Sequence, residues 1–85
     1  MIVDFHKSFK KELKMLPKKG QEQFLKRFEL FLQNPNHPIL NNHKLKGGLE
    51  GMRSINITGD IRLIYEEVGK NKVLFLMIGS HSKLY

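Results

Sequence analysis

The chain has 85 residues, 40% of them hydrophobic, and it contains no cysteine. That length predicts one compact domain over residues 1–85. The lack of cysteine excludes disulfides and thiolate chemistry. No stretch reaches the length of a membrane span, and residues 1–16 lack the pattern of a signal peptide. We therefore expect a soluble, cytoplasmic protein with no membrane partner.

Basic residues dominate the charge. Lys and Arg number 15 against 8 Asp and Glu, a formal charge of +7. Residues 1–34 carry 8 bases and 4 acids, and residues 35–85 carry 7 and 4, so the excess is spread along the chain. A small basic body attracts polyanions, which favours nucleic acid or an acidic protein as the partner. A lysine-rich surface that serves only solubility is the alternative.

The first half of the chain predicts a short strand followed by a helical hairpin. Ile2 to Phe5 is a β-prone run. Apolar residues then recur at helical spacing along two amphipathic helices: Phe9, Leu13 and Leu16 on the first, and Phe24, Phe28, Phe31 and Leu32 on the second. The segment PKKG (17–20) separates the helices, and NPNHP (34–38) ends the second.

The second half predicts three strands, Met52 to Ile57, Ile61 to Val68 and Val73 to Ile78. The short turns at 58–60 and 69–72 make them an antiparallel meander. The last strand is apolar at both parities, which is typical of a central strand. Together these elements predict an α+β fold in which a strand and a helical hairpin pack on a small, mainly antiparallel sheet that ends in the meander.

Several kinds of chemistry are excluded by the residues. The four histidines are scattered and have no cysteine beside them, so neither a structural zinc site nor another metal site is expected. No glycine-rich loop leads into Lys-Ser or Lys-Thr, which excludes a P-loop, and GGLEG (47–51) fits a flexible turn. No serine lies in the context of a nucleophile. We expect no cofactor.

Polar residues at strand ends remain as candidates. They are His43, Arg53, Asp60, Arg62, His81 and Tyr85. The third strand of a meander runs back towards the turn between the first two, so Asp60 and His81 are expected at one edge of the sheet. Histidine and aspartate transfer protons near neutral pH, and arginine holds phosphate. With a tyrosine on which a base can stack, this set suits metal-independent RNA cleavage.

Each candidate also has an ordinary structural explanation. Asp60 is a common kind of hairpin-turn residue, and His43 fits a solvated loop. The two arginines can form ion pairs, Arg62 with Glu66 or Glu67 and Arg53 with Glu50, and Tyr85 can be buried against the core. Composition alone does not choose between these explanations and a catalytic site.

The segment HKLKGGLEGMRSINITGDIRLIYEEVGKNKVLFLMIGSHSKLY (43–85) resembles the C-terminal half of RelE/ParE-superfamily toxins, most closely the YafQ-like branch. The shared marks are His and Leu before a glycine-rich turn, G-x-R, D-x-R-L-I-Y, and an ending of Gly, a small residue, His, two residues, Leu and an aromatic. The resemblance implies a RelE-like fold and a ribosome-dependent mRNA endonuclease of a type II toxin–antitoxin system. Its implied partners are a cognate antitoxin, mRNA in the ribosomal A site and ribosomal RNA.

Carried over by position, the resemblance implies catalytic roles for His43, Asp60, Arg62 and His81, with His81 as the general acid and Arg62 on phosphate. Tyr85 falls on the terminal aromatic position, where it would stack a base. The full set expected to bind substrate is Tyr85, Arg53, Lys44, Lys46 and Lys83.

The chain departs from the YafQ-like pattern at Asn56, Ile61 and Met77, where those toxins have histidine, often tryptophan, and arginine. The first departure leaves the general base open between His43 and Asp60, and we prefer His43. Two functions of different classes also stay open. The chain could be a ParE-like toxin that inhibits DNA gyrase without nuclease activity. It could also be a degenerate, non-toxic relative that only binds an antitoxin.

Overall fold

A computed structural model of the chain describes residues 1–84. Tyr85 lies outside the described residues, and so does its predicted role in base stacking. The elements in chain order are β1 (Ile2–Phe5), α1 (Lys7–Met15), α2 (Lys18–Gln33), β2 (His43–Lys44), β3 (Met52–Asn56), β4 (Ile61–Gly69), β5 (Lys72–Ser80) and α3 (His81–Leu84). Two 3₁₀ turns, Pro38–Leu40 and Gly47–Leu49, flank β2. Within 1–84, no helix is both long and apolar enough to cross a membrane.

The strands form one five-stranded sheet in the order β1-β5-β4-β3-β2. Strand β1 pairs with β5 in parallel, and the remaining neighbours are antiparallel. The predicted meander is confirmed as β3-β4-β5, with β5 in the interior of the sheet between β1 and β4. The predicted α+β fold is therefore confirmed, and β2 adds a strand at the far edge.

Helices α1 and α2 cover one face of the sheet, and the phenylalanines form the core beneath them. Phe9, Phe31 and Phe75 are 0% exposed. The ring of Phe75 lies 5.5 Å from that of Phe9 and 5.6 Å from that of Phe31, both edge to face. The predicted apolar positions of the two helices thus lie in the core or pack against it, with one exception. Leu32 is 44% exposed, because its position lies at the solvent side of α2.

The segment 17–20 was predicted to separate the helices, and Pro17 does so, but residues 18–20 already belong to α2. Helix α2 already begins at Lys18, directly after Pro17, whose φ of −55° suits a helix start. Gly20 is buried in the first turn of α2, where an added Cβ would lie only 3.2 Å from Cδ1 of Ile61. Glycine is typical of helix ends, but here the missing side chain of Gly20 allows α2 to pack closely against Ile61 of β4.

Two further elements, β2 and α3, were not among the predicted ones. His43 was expected in a loop, but it lies in β2, whose register pairs His43 with Ser54 of β3. The tail after β5 forms α3, which folds back so that side-chain atoms of Leu84 and Lys83 lie within 3.7 Å of a Cβ built on Gly79. A two-residue strand and a four-residue helix are both too short to leave a periodic signal in the sequence.

Candidate active site

The face of the sheet opposite the helices carries the polar candidates, and we call it the open face. Cross-strand partners point to the same side of a sheet, so the register defines two rows of side chains on it. The first row is His43, Ser54, Ile64 and Met77, and the second is Asn56, Arg62 and Gly79. The alternate residues of the same strands, such as Ile55 and Leu63, are buried in the core beneath the helices.

Asp60 and His81 are neighbours at one end of the sheet. The backbone N–H of His81 donates to the carbonyl oxygen of Asp60 at 2.9 Å. This contact arises because Ile61 and Ser80 are paired at the ends of β4 and β5, and α3 begins with the next residue. The hydroxyl of Ser80 accepts the N–H of Lys83 at 3.3 Å and caps this short helix. The tail is therefore anchored to the turn that carries Asp60.

Arg62 holds the same turn in place. Its Nη1 donates to the carbonyl oxygens of Thr58 at 2.9 Å and Gly59 at 3.0 Å. The hydroxyl of Thr58 also accepts the N–H groups of Asp60 and Ile61, at 3.2 Å and 2.9 Å. A permanent positive charge thus lies beside the Asp60–His81 contact, with its Nε and Nη2 edge not engaged by these bonds.

The predicted ion pairs of the two arginines are absent from the part of the chain that the structure describes. There, the ion pair within 4.0 Å joins Lys72 Nζ to Asp4 Oδ2 at 3.2 Å and involves neither arginine. Arg53 instead donates from Nε to Oδ1 of Asn42 at 2.7 Å. It pairs with Tyr65 across β3 and β4 and lies near the end of the sheet remote from Asp60.

His43 is exposed on β2, and its tautomer is determined by one hydrogen bond. Its Nδ1 lies 2.8 Å from the carbonyl oxygen of Asn41. A carbonyl can only accept, so Nδ1 carries the proton and Nε2 of the neutral ring has the free lone pair. Strand order puts β2 three spacings from β5, roughly 14 Å at about 4.8 Å each. His43 therefore faces the Asp60–His81 end across the open face and does not contact it.

The lysines expected to bind substrate are all exposed. Lys44 follows His43 in β2, and Lys46 precedes the 3₁₀ turn Gly47–Leu49. Lys83 lies in α3 with part of its chain over Gly79. Lys83 therefore lies beside the open face, whereas Lys44 is the cross-strand partner of Arg53 and points with it to the helix side of the sheet.

The three departures from the YafQ-like pattern have different surroundings. Asn56 lies opposite Arg62, and its Oδ1 is buried with no hydrogen-bond partner among residues 1–84. Ile61 packs against Gly20 on the helix-covered side and belongs to the margin of the core. Met77 shares a row with His43 and Ile64. Only Asn56 and Met77 therefore change the open face itself.

Sequence reasoning missed Asn42 and Tyr65. Asn42 Nδ2 donates to Tyr65 Oη at 2.7 Å, a contact between residues 23 positions apart. Burial raises the pKa of Tyr65 above its usual value, while the hydrogen bond from Asn42 and the charge of Arg53 oppose part of that shift. The phenol is therefore neutral near pH 7. No local spacing signals such a pair.

Within residues 1–84, no three His, Asp or Glu side chains are grouped as metal ligands would be. The candidate site thus consists of Asp60, His81 and Arg62 at one end of the sheet and His43 across the open face.

Comparisons with known proteins identify the family to which this fold belongs. Over residues 1–85 the chain matches the family described as the bacterial toxin of type II toxin-antitoxin systems, YafQ. A metal-bound toxin from Helicobacter pylori is 31% identical, with coverage of 100% of this chain and 99% of that chain and a TM-score of 0.78. YafQ from E. coli strain BL21(DE3) is 22% identical, with 98% and 96% coverage and a TM-score of 0.82. YafQ in the E. coli DinJ–YafQ toxin-antitoxin complex is 25% identical, with 98% and 94% coverage and a TM-score of 0.74. No curated protein matches.

The class is therefore a toxin of a type II toxin–antitoxin system, on the RelE-like fold that these structures share. Within that class, the chain belongs to the YafQ family. The resemblance seen in residues 43–85 is confirmed and extends over the whole chain.

Proposed function

We propose that this toxin is an endoribonuclease that cleaves mRNA on the ribosome by metal-independent acid–base chemistry. The observation that carries the proposal is the hydrogen bond from the His81 backbone N–H to the Asp60 backbone carbonyl, which brings these two residues together beside the turn that the Arg62 guanidinium binds. Cleavage at a 2′-hydroxyl needs a base, an acid for the leaving 5′-oxygen and a cation for the charge on phosphorus. These residues, with His43, supply all three kinds of group.

The proposed roles follow from position. His81 is the general acid, and Arg62 binds the scissile phosphate through the edge of its guanidinium that the turn leaves available. His43 is the general base, because its Nε2 lone pair is directed away from the Asn41 carbonyl that holds Nδ1. Asp60 supports the imidazoles electrostatically. The RNA backbone would cross the open face between the two histidines, with Tyr85 stacking an unpaired base.

The exposed lysines fit the same proposal. Lys46 and Lys83 are exposed and would contact phosphates of message or ribosomal RNA, and exposed Lys44 would do so from the helix side of the β2 edge. A substrate role for Arg53, expected from the sequence, is not part of the proposal, because its guanidinium is bonded to Asn42 on the covered side of the sheet.

A cognate antitoxin is the proposed protein partner. The family consists of toxins of toxin–antitoxin systems, and the E. coli relative is seen in complex with DinJ. With a net charge of +7, this chain fits an acidic antitoxin segment that folds on binding. A neighbouring reading frame encoding a short acidic protein would agree with this proposal.

The test is primer extension on a defined message after incubation with programmed ribosomes and purified toxin. Wild-type protein should create new 5′ ends on ribosome-bound message, with 2′,3′-cyclic phosphate or 3′-phosphate on the upstream fragment. His81→Gln should give no ends above background. New ends of equal intensity from His81→Gln would disprove the assigned role of His81. Intact message together with inhibited supercoiling by DNA gyrase would disprove the nuclease and favour a ParE-like toxin.

A further inference from the structure

Asn42, the residue before the proposed base, makes three hydrogen bonds through its side-chain amide. Asn42 Nδ2 donates to the carbonyl oxygen of Pro35 at 3.0 Å and to Tyr65 Oη at 2.7 Å. Its Oδ1 accepts from Arg53 Nε at 2.7 Å. We call these four residues, Pro35, Asn42, Arg53 and Tyr65, the Asn42 network. Both amide hydrogens and one oxygen lone pair of Asn42 are used.

The chemistry of the partners fixes the orientation of this amide. The Pro35 carbonyl can only accept and Arg53 Nε can only donate, so exchanging the oxygen and nitrogen of Asn42 would break both bonds. Tyr65, at one end of the network, is held in place by packing in the core. Tyr65 is 3% exposed, and its ring lies edge to face with Phe31 at 5.1 Å. Asn42 is thereby tied to the core, to β3 and to the loop after α2.

The segment 41–43 transmits this constraint to the open face. Successive residues of an extended chain point to opposite sides, so Asn42 reaches the covered side while His43 projects from the other. Asn41, in the left-handed region at φ 47°, presents the carbonyl that bonds His43 Nδ1 at 2.8 Å. Strand β2 has only two residues, so its ladder alone holds this segment weakly.

We propose that Asn42 is the positioning residue of His43. By locking residues 41–43 against Tyr65 and Arg53, it keeps the Asn41 carbonyl on Nδ1 and so keeps Nε2 as the unprotonated nitrogen that faces substrate. Asn42 itself touches no substrate. The catalytic part of this inference rests on the proposed role of His43 as base, whereas the control of its tautomer stands apart from any activity.

The tautomer of His43 is the decisive measurement. Long-range proton–nitrogen NMR correlations on ¹⁵N-labelled toxin report which ring nitrogen carries the proton, and His43→Gln assigns the signals. In wild type we expect the Nδ1–H tautomer to dominate. In Asn42→Ala the signal should move to a mixture of both tautomers. Asn36→Ala is the matched control, because Asn36 lines the same cavity but is absent from the network, and it should retain the wild-type signal.

Kinetics give the second measurement. A misplacement of about 1 Å can cost on the order of 100-fold in rate. We therefore expect Asn42→Ala to lower kcat roughly 10- to 100-fold on ribosome-bound message while KM stays within about twofold. Asn42→Asp, which keeps an acceptor for Arg53 Nε and can accept the Tyr65 hydroxyl, should restore part of the rate and of the wild-type tautomer. A merely destabilised fold would not move the tautomer in a folded sample.

Tyr65→Phe keeps the proposal falsifiable if Asn42→Ala fails to fold, because it removes only the hydroxyl and keeps the buried ring. It should shift the tautomer in the same direction by a smaller amount. A wild-type tautomer in a folded Asn42→Ala, or in Tyr65→Phe when Asn42→Ala is unfolded, overturns the positioning role. If His43→Gln cleaves as wild type does, the assignment of the base is wrong, yet the tautomer result still decides what Asn42 does.

Discussion

The two faces of the sheet are built from the same strands, but one face packs against the helices and the other carries the candidate site. On β3, Ile55 is fully buried beneath the helices, while its neighbour Asn56 lies on the open face. On β5, Phe75 packs against phenylalanine rings from both α1 and α2, while Met77 lies on the open face. The covered face depends on volume and shape. The open face carries the candidate proton-transfer groups and cations around Ser54 and Ile64, which are themselves fully buried. Substitutions on the two faces should therefore separate stability from activity.

The largest expected effect is the loss of activity in His81→Gln. General acid catalysis contributes roughly 10²- to 10⁴-fold, so cleavage should fall by that factor. The free energy of unfolding, measured in urea, should change little, because His81 is exposed. His6→Asn is the control, since His6 caps α1 through its side chain and asparagine can do the same. An equal loss of cleavage activity in His81→Gln and His6→Asn would contradict the assigned role of His81.

Next is a pair of substitutions on one strand. Phe75→Ala should lower the free energy of unfolding by about 3–5 kcal/mol, because it removes a ring from the centre of the core. Met77→Ala, on the open face, should cost under about 2 kcal/mol. Urea denaturation followed by circular dichroism measures both. Similar costs would mean that the open face is packed as tightly as the covered one.

Arg62→Lys probes a residue that serves both structure and proposed chemistry. Lysine is a point charge and cannot bond two turn carbonyls while presenting a second edge to phosphate. We expect kcat/KM to fall on the order of 10-fold, with a loss of about 1 kcal/mol in stability from the broken turn contacts. A large loss of stability, with kcat/KM of the folded fraction unchanged, would show that Arg62 is structural and does not bind the scissile phosphate.

The lysines beside His43 should act through salt-dependent binding. Replacing both Lys44 and Lys46 with glutamine should weaken binding to programmed ribosomes severalfold and reduce the slope of log affinity against log salt by about 1.4, at roughly 0.7 per phosphate contact. The double glutamine variant of Lys10 and Lys14, on the helix side, is the charge-matched control. An equal change in the control would indicate that total charge, and no particular part of the surface, binds RNA.

The smallest effect concerns pH. Because the pKa of Tyr65 is raised on folding, its neutral form is favoured in the native state. The stability it contributes is complete below a pH of about 10, the unfolded pKa, and is lost as pH rises through the folded pKa. Urea midpoints measured from about pH 8 to 11 should fall less steeply in Tyr65→Phe than in wild type. Parallel curves would contradict the raised pKa.

Much of this molecule could be predicted from its sequence, because the responsible patterns are local. The 3.6-residue period of the phenylalanines indicates the helices, and alternation at 54–57 indicates which residues of β3 face the core. The antiparallel meander follows from short turns, and it leads Asp60 and His81 to the same edge. Motifs of consecutive residues, such as D-x-R-L-I-Y, sufficed to identify the family.

Other features depend on contacts between residues distant in the chain, and only the tertiary structure decided them. In the first turn of α2, Ile61 packs so closely against Gly20 that a side chain there would be crowded. Arg53 bonds to Asn42, although Glu50 is nearer to it in sequence. The tautomer of His43 depends on a carbonyl in a left-handed residue, held by a network that reaches the core. Periodicity determines which residues are buried, but the direction of a polar side chain depends on partners that only the folded chain brings within hydrogen-bond distance.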